Sequence, residues 1–199
     1  MTELKQYQDF YDPHFATMQK VMDQVLRFLA GIKEQDTKIY EYCIHRIKSP
    51  ESMKQKLLNK ELEVTSSNAL LEITDGVGIR IICAFLDDVY AVVDQIKSNP
   101  EWQLLKNKDY IAKPKPNGYR SYHLVILVDT DTITIPVEIQ IRTISQDSWA
   151  NLEHQMKYKK EITNRELIQQ ELKRCADEFA STDVSMQTIR ELIMEFDSE

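Results

Sequence analysis

Two acids and a set of cations carry the chemical signal in this chain. From Thr132 to Thr143, Ile133, Ile135, Val137, Ile139 and Ile141 fall on every second position, with Glu138, Gln140 and Arg142 on the alternate ones. That is the period of a pleated strand with one buried face. Side chains two apart on a strand project the same way about 6.5–7 Å from one another, so a carboxylate and a guanidinium on this face would frame a site about one phosphate group wide. The same alternation also describes an ordinary solvated outer face. The second acid, Asp75, stands in Ile73-Thr74-Asp75-Gly76-Val77-Gly78-Ile79-Arg80, which holds two of the four glycines. Glycine permits close backbone approach, so Asp75 can be a metal ligand on a tight turn entering a strand, although Asp-Gly turns are common.

Hard divalent cations bind such acids, and Mg²⁺ takes one or two protein carboxylates together with substrate phosphate oxygens. Cations are gathered in two places. Residues 42–60 hold Arg46, Lys48, Lys54, Lys56 and Lys60 against Glu51 alone, and residues 106–120 hold Lys106, Lys108, Lys113, Lys115 and Arg120 against Asp109 alone. The whole chain carries a net charge of −7. Local basic clusters in an acidic protein fit a compact polyanion such as a nucleotide and disfavour general nucleic-acid binding. Phosphoryl transfer asks mainly for positioning and countercharge, so the combination points to a Mg²⁺-assisted nucleotide transferase. No phosphate-binding G-x-x-x-x-G-K-[ST] loop, dinucleotide-binding G-x-G-x-x-G turn or hydrolase elbow occurs.

The 199 residues are 42% hydrophobic and contain no apolar run long enough to span a membrane. The sequence reads as one domain. Three scattered cysteines and no leader-like opening indicate a reduced, cytoplasmic protein.

These residues need elements to position them. Phe15, Met18, Met22, Val25, Leu29 and Ile32 form one stripe of an N-terminal helix ending at or soon after Gly31. Helix is expected over Ile39–Arg46. A new helix starts with Ser49 as N-cap and Pro50 at the first position, carries Lys54 and Lys56, and runs to about Asn59. Arg46 and Lys48 would lie just before its phosphate-friendly N-terminus. A short helix capped by Ser66 or Ser67 precedes the strand Ile79–Phe85. A helix capped by Asp87 or Asp88 and a strand from Trp102 to Lys106 follow it. Residues 107–120 read as a long loop, then Leu124–Val128 and the Glu138 strand as a hairpin. Ser145 is expected to cap a helix bearing Asp147, Asn151 and His154. Two apolar stripes close the chain, Ile168, Leu172, Cys175, Phe179 and Met186, Ile189, Ile193, Phe196. They suit an interface and imply an assembly larger than a monomer.

Five motifs in order carry a family resemblance: Asp75 to Arg80, Lys108-Asp109-Tyr110-Ile111, Pro114 to His123, Glu138 to Thr143, and Trp149-Ala150-Asn151-Leu152-Glu153-His154. Together they resemble the ppGpp synthetase domain of the RelA/SpoT homologues. The chain length resembles the small alarmone synthetases, and residues 46–52 their RelP-type branch. The resemblance implies an α+β fold, a mixed β-sheet flanked by helices and similar to nucleotidyltransferases. The catalytic core would span 39–160, between an N-terminal helix over 1–38 and C-terminal helices over 161–199. It implies pyrophosphate transfer from ATP to the 3′-hydroxyl of GDP or GTP, with AMP released, and a homotetramer.

By matching position, Asp75 would be a Mg²⁺ ligand, and Glu138 a second ligand or the base at the 3′-hydroxyl. Arg46 and Arg80 would sandwich adenine. Lys48, Lys54, Lys56, Lys108, Lys115 and Arg120 are phosphate candidates, while His123 and Gln140 would line the acceptor side. Tyr119 is the candidate for stacking on the acceptor base and Asp147 for reading its guanine edge. Gly76 stands where the family commonly has Ile, which would loosen the turn. No histidine is followed by Asp, so synthesis without hydrolysis is expected. The rival readings are a same-fold enzyme acting on tRNA 3′ ends or adenine nucleotides, and an inactive nucleotide- or RNA-binding regulator.

Overall fold

The computed structural model describes residues 2–157 and 164–196. Five strands, β1 (Tyr42–Ile47), β2 (Val77–Cys83), β3 (Trp102–Asp109), β4 (Tyr122–Asp129) and β5 (Thr134–Thr143), form one sheet. Their order is β1-β2-β5-β4-β3, with β2 and β5 parallel and the other pairs antiparallel. The sheet is therefore mixed, as the resemblance implies.

Register decides what each face presents. Ile79 lies opposite Ile139, and Ile139 opposite Leu124, so these side chains share the face that the core covers. Buried Met18, Val21, Val25, Leu29 and Ile32 of α2 (Phe15–Gln35) and Val89, Val92, Val93 and Ile96 of α5 (Leu86–Lys97) belong to the same core. On the other face, Arg46 lies opposite Gly78 and Gly78 opposite Glu138, while Arg80 lies opposite Gln140 and Gln140 opposite His123. One edge of this polar face is covered by α6 (Ile144–Lys157), which packs on β2 and β5, and α7 (Arg165–Phe196) packs in turn on α6 and α5.

Several boundaries differ from expectation. Residues 42–47 form β1 instead of a helix, because Tyr42, Cys43, Ile44 and Ile47 suit the sheet edge against β2. The N-terminal helix is two, α1 (Glu3–Tyr11) and α2, separated at Pro13, which has no N–H to continue the ladder. The N-cap of α4 (Ser66–Leu71) is Thr65, which accepts from Asn68 N at 3.1 Å, not Ser66 or Ser67. Asp87 and Asp88 sit inside the first turn of α5. β3 continues to Asp109, so the long loop begins only at Tyr110. Thr143, not Ser145, caps α6: its Oγ1 accepts from Gln146 N and its own N–H donates to Gln146 Oε1, both at 3.2 Å. The two C-terminal stripes share the single helix α7.

Ser49 does cap α3 (Pro50–Asn59), its side chain accepting from Ser52 N at 3.3 Å. Gly76 packs against the methyl ends of Met53 and Met18, which a Cβ there would meet at 3.4 and 3.5 Å. Those are ordinary van der Waals distances, so a Cβ has room at this position.

Candidate active site

Asp75 is placed by the turn leading into β2 and fixed by two lysines. Lys48 Nζ lies 3.0 Å and Lys56 Nζ 2.7 Å from its Oδ2. Tyr11 donates to the Lys48 carbonyl at 2.7 Å, and the Lys48 N–H donates to the Gly76 carbonyl at 2.8 Å, so the Lys48 backbone is held from two sides. Burial alone would raise the Asp75 pKa, but hydrogen bonds from Lys56 and Lys48 outweigh it and hold the carboxyl below its ordinary value. Oδ1 of Asp75 and Nε of Arg80 are buried without a hydrogen-bond partner. Both residues border a cavity of about 170 Å³ with Arg46, Gly78, Glu138 and Gln140. Gly78 offers no side chain between Arg46 and Glu138, which lie on either side of it in the sheet.

A ring of polar contacts surrounds Glu138. Gln140 Nε2 donates to Glu138 Oε2 at 2.9 Å, and Arg142 Nη2 donates to Gln140 Oε1 at 2.7 Å. The same Nη2 donates to Tyr119 Oη at 2.7 Å, which lies 2.7 Å from His123 Nε2. His123 Nδ1 then closes the ring 3.8 Å from Glu138 Oε1. Burial, followed by the nearby charges of Arg142, Lys115, Lys108 and Arg80, lowers the His123 pKa to about 3. The imidazole is neutral at physiological pH. Because Arg142 occupies the Tyr119 oxygen as a donor, the hydroxyl proton is directed to Nε2, which assigns the His123 proton to Nδ1, facing Glu138.

Not every expected residue arrives here. Lys54 does not: its ammonium lies 5.4 Å from the Phe10 ring beside α1, because residues two apart on a helix do not share a face. Arg120 is instead a structural anchor, donating to the carbonyls of Gly118 and Ala176 and to Asp177 Oδ1 of α7. Asp147 is buried with its carboxylate engaged by Arg80, Arg142 and Asn151, which leaves it no free edge for a base. Arg142, only 3% exposed, lies inside the polar ring and does not frame an open site. Lys115 lies 4.7 Å from the Tyr110 ring centroid and 4.8 Å from that of Tyr119, and Lys108 pairs with His123 across the sheet. Asn151, which donates to Asp147 Oδ2, and Tyr110, whose ring packs against Tyr119 and His123, carry no assigned role from sequence; the i,i+4 spacing of Asp147 and Asn151 on α6 is the available signal for the first.

The loop over residues 110–121 is pinned to α7. Gly118 has φ +89°, and a Cβ there would stand 2.6 Å from Ala176 Cβ. Only glycine fits that approach.

Residues 45–163 match the region found in RelA / SpoT proteins. The chain belongs to the RelA/SpoT family. It is similar to the GTP pyrophosphokinase YwaC of Bacillus subtilis (strain 168), 42% identical over 141 residues that cover 69% of this chain and 67% of that protein. The GTP pyrophosphokinase YjbM of the same strain is 30% identical over 200 residues, covering 96% of this chain and 92% of that one. Among solved structures, small alarmone synthetase 1 from Bacillus subtilis bound to its product pppGpp superposes with a TM-score of 0.79 at 29% identity. That superposition covers 96% of this chain and 99% of the other. The five motifs of this RelA/SpoT-family chain thus all fall on the polar face of the sheet, its rim, or the helix and loop that close it.

Proposed function

We propose that the chain is a GTP pyrophosphokinase, moving the pyrophosphoryl group of ATP to the 3′-hydroxyl of GDP or GTP and releasing AMP. The observation that carries this reading is the cavity in which Asp75, with a spare oxygen, and Glu138 sit between Arg46, Arg80 and the Lys48–Lys56 pair. A binding module has no need of that arrangement. Homology to GTP pyrophosphokinases and to a product-bound synthetase supports it.

Arg46 and Arg80 project from neighbouring strands on the same face and offer planar guanidinium surfaces to adenine. Lys48, the residue before the cap of α3, and Lys56, in the last turn of that helix, supply countercharge to the transferred phosphates. Glu138 accepts the proton of the acceptor 3′-hydroxyl as that oxygen attacks the β-phosphorus, and the bond from β-phosphorus to the α,β-bridging oxygen breaks with AMP as leaving group. Gln140 holds one oxygen of Glu138, which directs the other to the substrate. Tyr119 presents its ring to the acceptor base once Lys115 turns to phosphate. Neutral His123 holds the Tyr119 hydroxyl and is no proton donor at physiological pH.

Asp75 would hold Mg²⁺, which would offset phosphate charge during transfer, and Glu138 would be a second ligand in place of its role as base, not together with it. Their fit rests on the spare Asp75 oxygen and the oxygen-rich donor set. Among the described residues there is no group of three or more acids, histidines or cysteines that could hold a metal, and Mg²⁺ held by one or two carboxylates takes its other ligands from substrate phosphate oxygens and water.

We extend the reading to a homo-oligomer, a tetramer by family likeness, and to a cytoplasmic site of action. Leu172, Cys175 and Phe179 are half-buried, so the first stripe of α7 is largely used within the chain. Met186, Ile189, Ile193 and Phe196 remain exposed, Phe196 at 73%, and supply the apolar face. No helix among the described residues is long and apolar enough to cross a membrane. The test of function is incubation with labelled ATP, Mg²⁺ and each guanine nucleotide, with products resolved. Labelled ppGpp or pppGpp plus AMP is expected, and transfer to tRNA or adenine nucleotides alone, or no transfer, would overturn it.

A further inference from the structure

Asp147 lies between the two substrate sides without facing either. Its Oδ1 accepts from Arg80 Nη1 at 3.2 Å and from Arg142 Nη1 at 3.0 Å, and its Oδ2 accepts from Asn151 Nδ2 at 2.9 Å. Arg80 lines the cavity assigned to the donor, whereas Arg142 holds Tyr119 of the acceptor loop. The geometry points to Asp147 as a positioning residue that couples donor and acceptor binding through one shared carboxylate oxygen. The inference rests on the donor and acceptor assignment proposed above.

The two guanidiniums are held unequally, and that sets the sign of the coupling. Arg142 is gripped through three nitrogens: Nε donates to Ser121 Oγ at 3.3 Å, Nη1 to Asp147, and Nη2 to Tyr119 and Gln140. Arg80 is held through Nη1 alone, to Asp147 and at 3.4 Å to Asn151, and its Nε has no partner. A ligand can therefore move Arg80 but not Arg142. When adenine draws Arg80 into the cavity, Arg80 takes a smaller share of Asp147 Oδ1 and Arg142 a larger one. The buried Arg142–Asp147 pair then tightens, and with it the hydrogen bond that orients Tyr119. Donor binding should prepare the acceptor loop, and linkage makes the effect reciprocal.

A purely structural Asp147 would change only the folded fraction, leaving any coupling between the two nucleotides in the folded variant as it is in the parent. The experiment is calorimetric titration of GDP in Mg²⁺, with and without saturating α,β-methylene ATP. In the parent, the analogue is expected to tighten GDP by about 5-fold or more, the lower range of measured couplings. Asp147→Asn removes the charge that both arginines share. Tyr119→Phe keeps the ring but loses the link to Arg142, and it covers the case in which Asp147→Asn fails to fold. In each folded variant the analogue should shift GDP affinity by less than about 2-fold, outside the usual coupling range. Coupling retained in either variant, or a parent that binds both nucleotides independently, would overturn the inference. A parent that binds neither would instead refute the functional reading beneath it.

Discussion

Asp75→Asn separates folding from chemistry, and the structure supplies the size of each effect. Asp75 neutralises Lys48, 11% exposed, and Lys56, 40% exposed. A hydrogen bond to a charged group at a buried position is worth about 1.5–3 kcal/mol, while the Lys56 pair, open to solvent, is worth about 1 kcal/mol or less. The variant amide can still accept from both lysines, so the expected loss is about 2–3 kcal/mol. For a protein of this length that corresponds to roughly 4–12 °C in Tm, a deficit a domain of ordinary stability survives. Chemistry should suffer more. To serve the lysines the amide must turn its oxygen to the Oδ2 position, which puts its NH₂ where Oδ1 now stands without a partner. A spare acceptor becomes a donor, and a cation is no longer held. Turnover should fall on the order of 10²-fold or more, with added Mg²⁺ failing to restore it. Thermal melts by circular dichroism and ppGpp formation under saturating substrates measure the two effects. Turnover near the parent level in a folded variant would remove Asp75 from the mechanism, and an unchanged Tm would refute the ion-pair arithmetic.

Glu138→Gln should lower kcat on the order of 10²-fold or more with Tm nearly unchanged, since a proton acceptor is lost from a half-exposed position; steady-state kinetics beside a melt decide it. His123 makes stability fall in acid. Its folded pKa of about 3 lies below the unfolded 6.5, so its contribution is complete above pH 6.5 and is lost at up to about 1.4 kcal/mol per unit as pH drops toward 3. Asp88 and Asp183, whose carboxyls burial raises, act in the opposite direction, so denaturant titrations from pH 7 to 4.5 should compare the parent with His123→Gln, whose curve should be flatter; equal slopes would refute the assignment. Arg120→Ala should free the loop from α7, speeding amide hydrogen exchange over residues 110–121, whereas a direct phosphate ligand would leave exchange of the free protein unchanged. Light scattering at micromolar concentration should give a mass above the 23.4 kDa of one chain, and a monomer would leave the apolar face of α7 unexplained.

The sequence by itself determined which residues form the strand Thr134–Thr143, because period-2 alternation of isoleucine and valine with polar residues has one solution when a single face is buried. It also determined the start of α3, since Ser49 and Pro50 act through their own backbone neighbours. Asp75 and Glu138 were legible for the same reason, each standing in a local pattern that suits its chemistry. What only the tertiary structure decided is which cations meet those acids. Lys54 and Lys56 look equivalent in sequence, yet the twist of α3 delivers Lys56 to Asp75 and Lys54 to Phe10. Ile39–Arg46 reads as helix by local pattern, yet residues 42–47 form a strand because β2 offers them an edge to pair with. Asp147 and Arg120 read as ligands, but Arg80, which meets Asp147, and Ala176 and Asp177 of α7, which hold Arg120, come from 56 to 67 positions away in the chain. Local pattern fixes elements because neighbours in sequence are neighbours in a strand or turn. The partner of a charge is fixed by packing, which brings together residues that no local pattern joins.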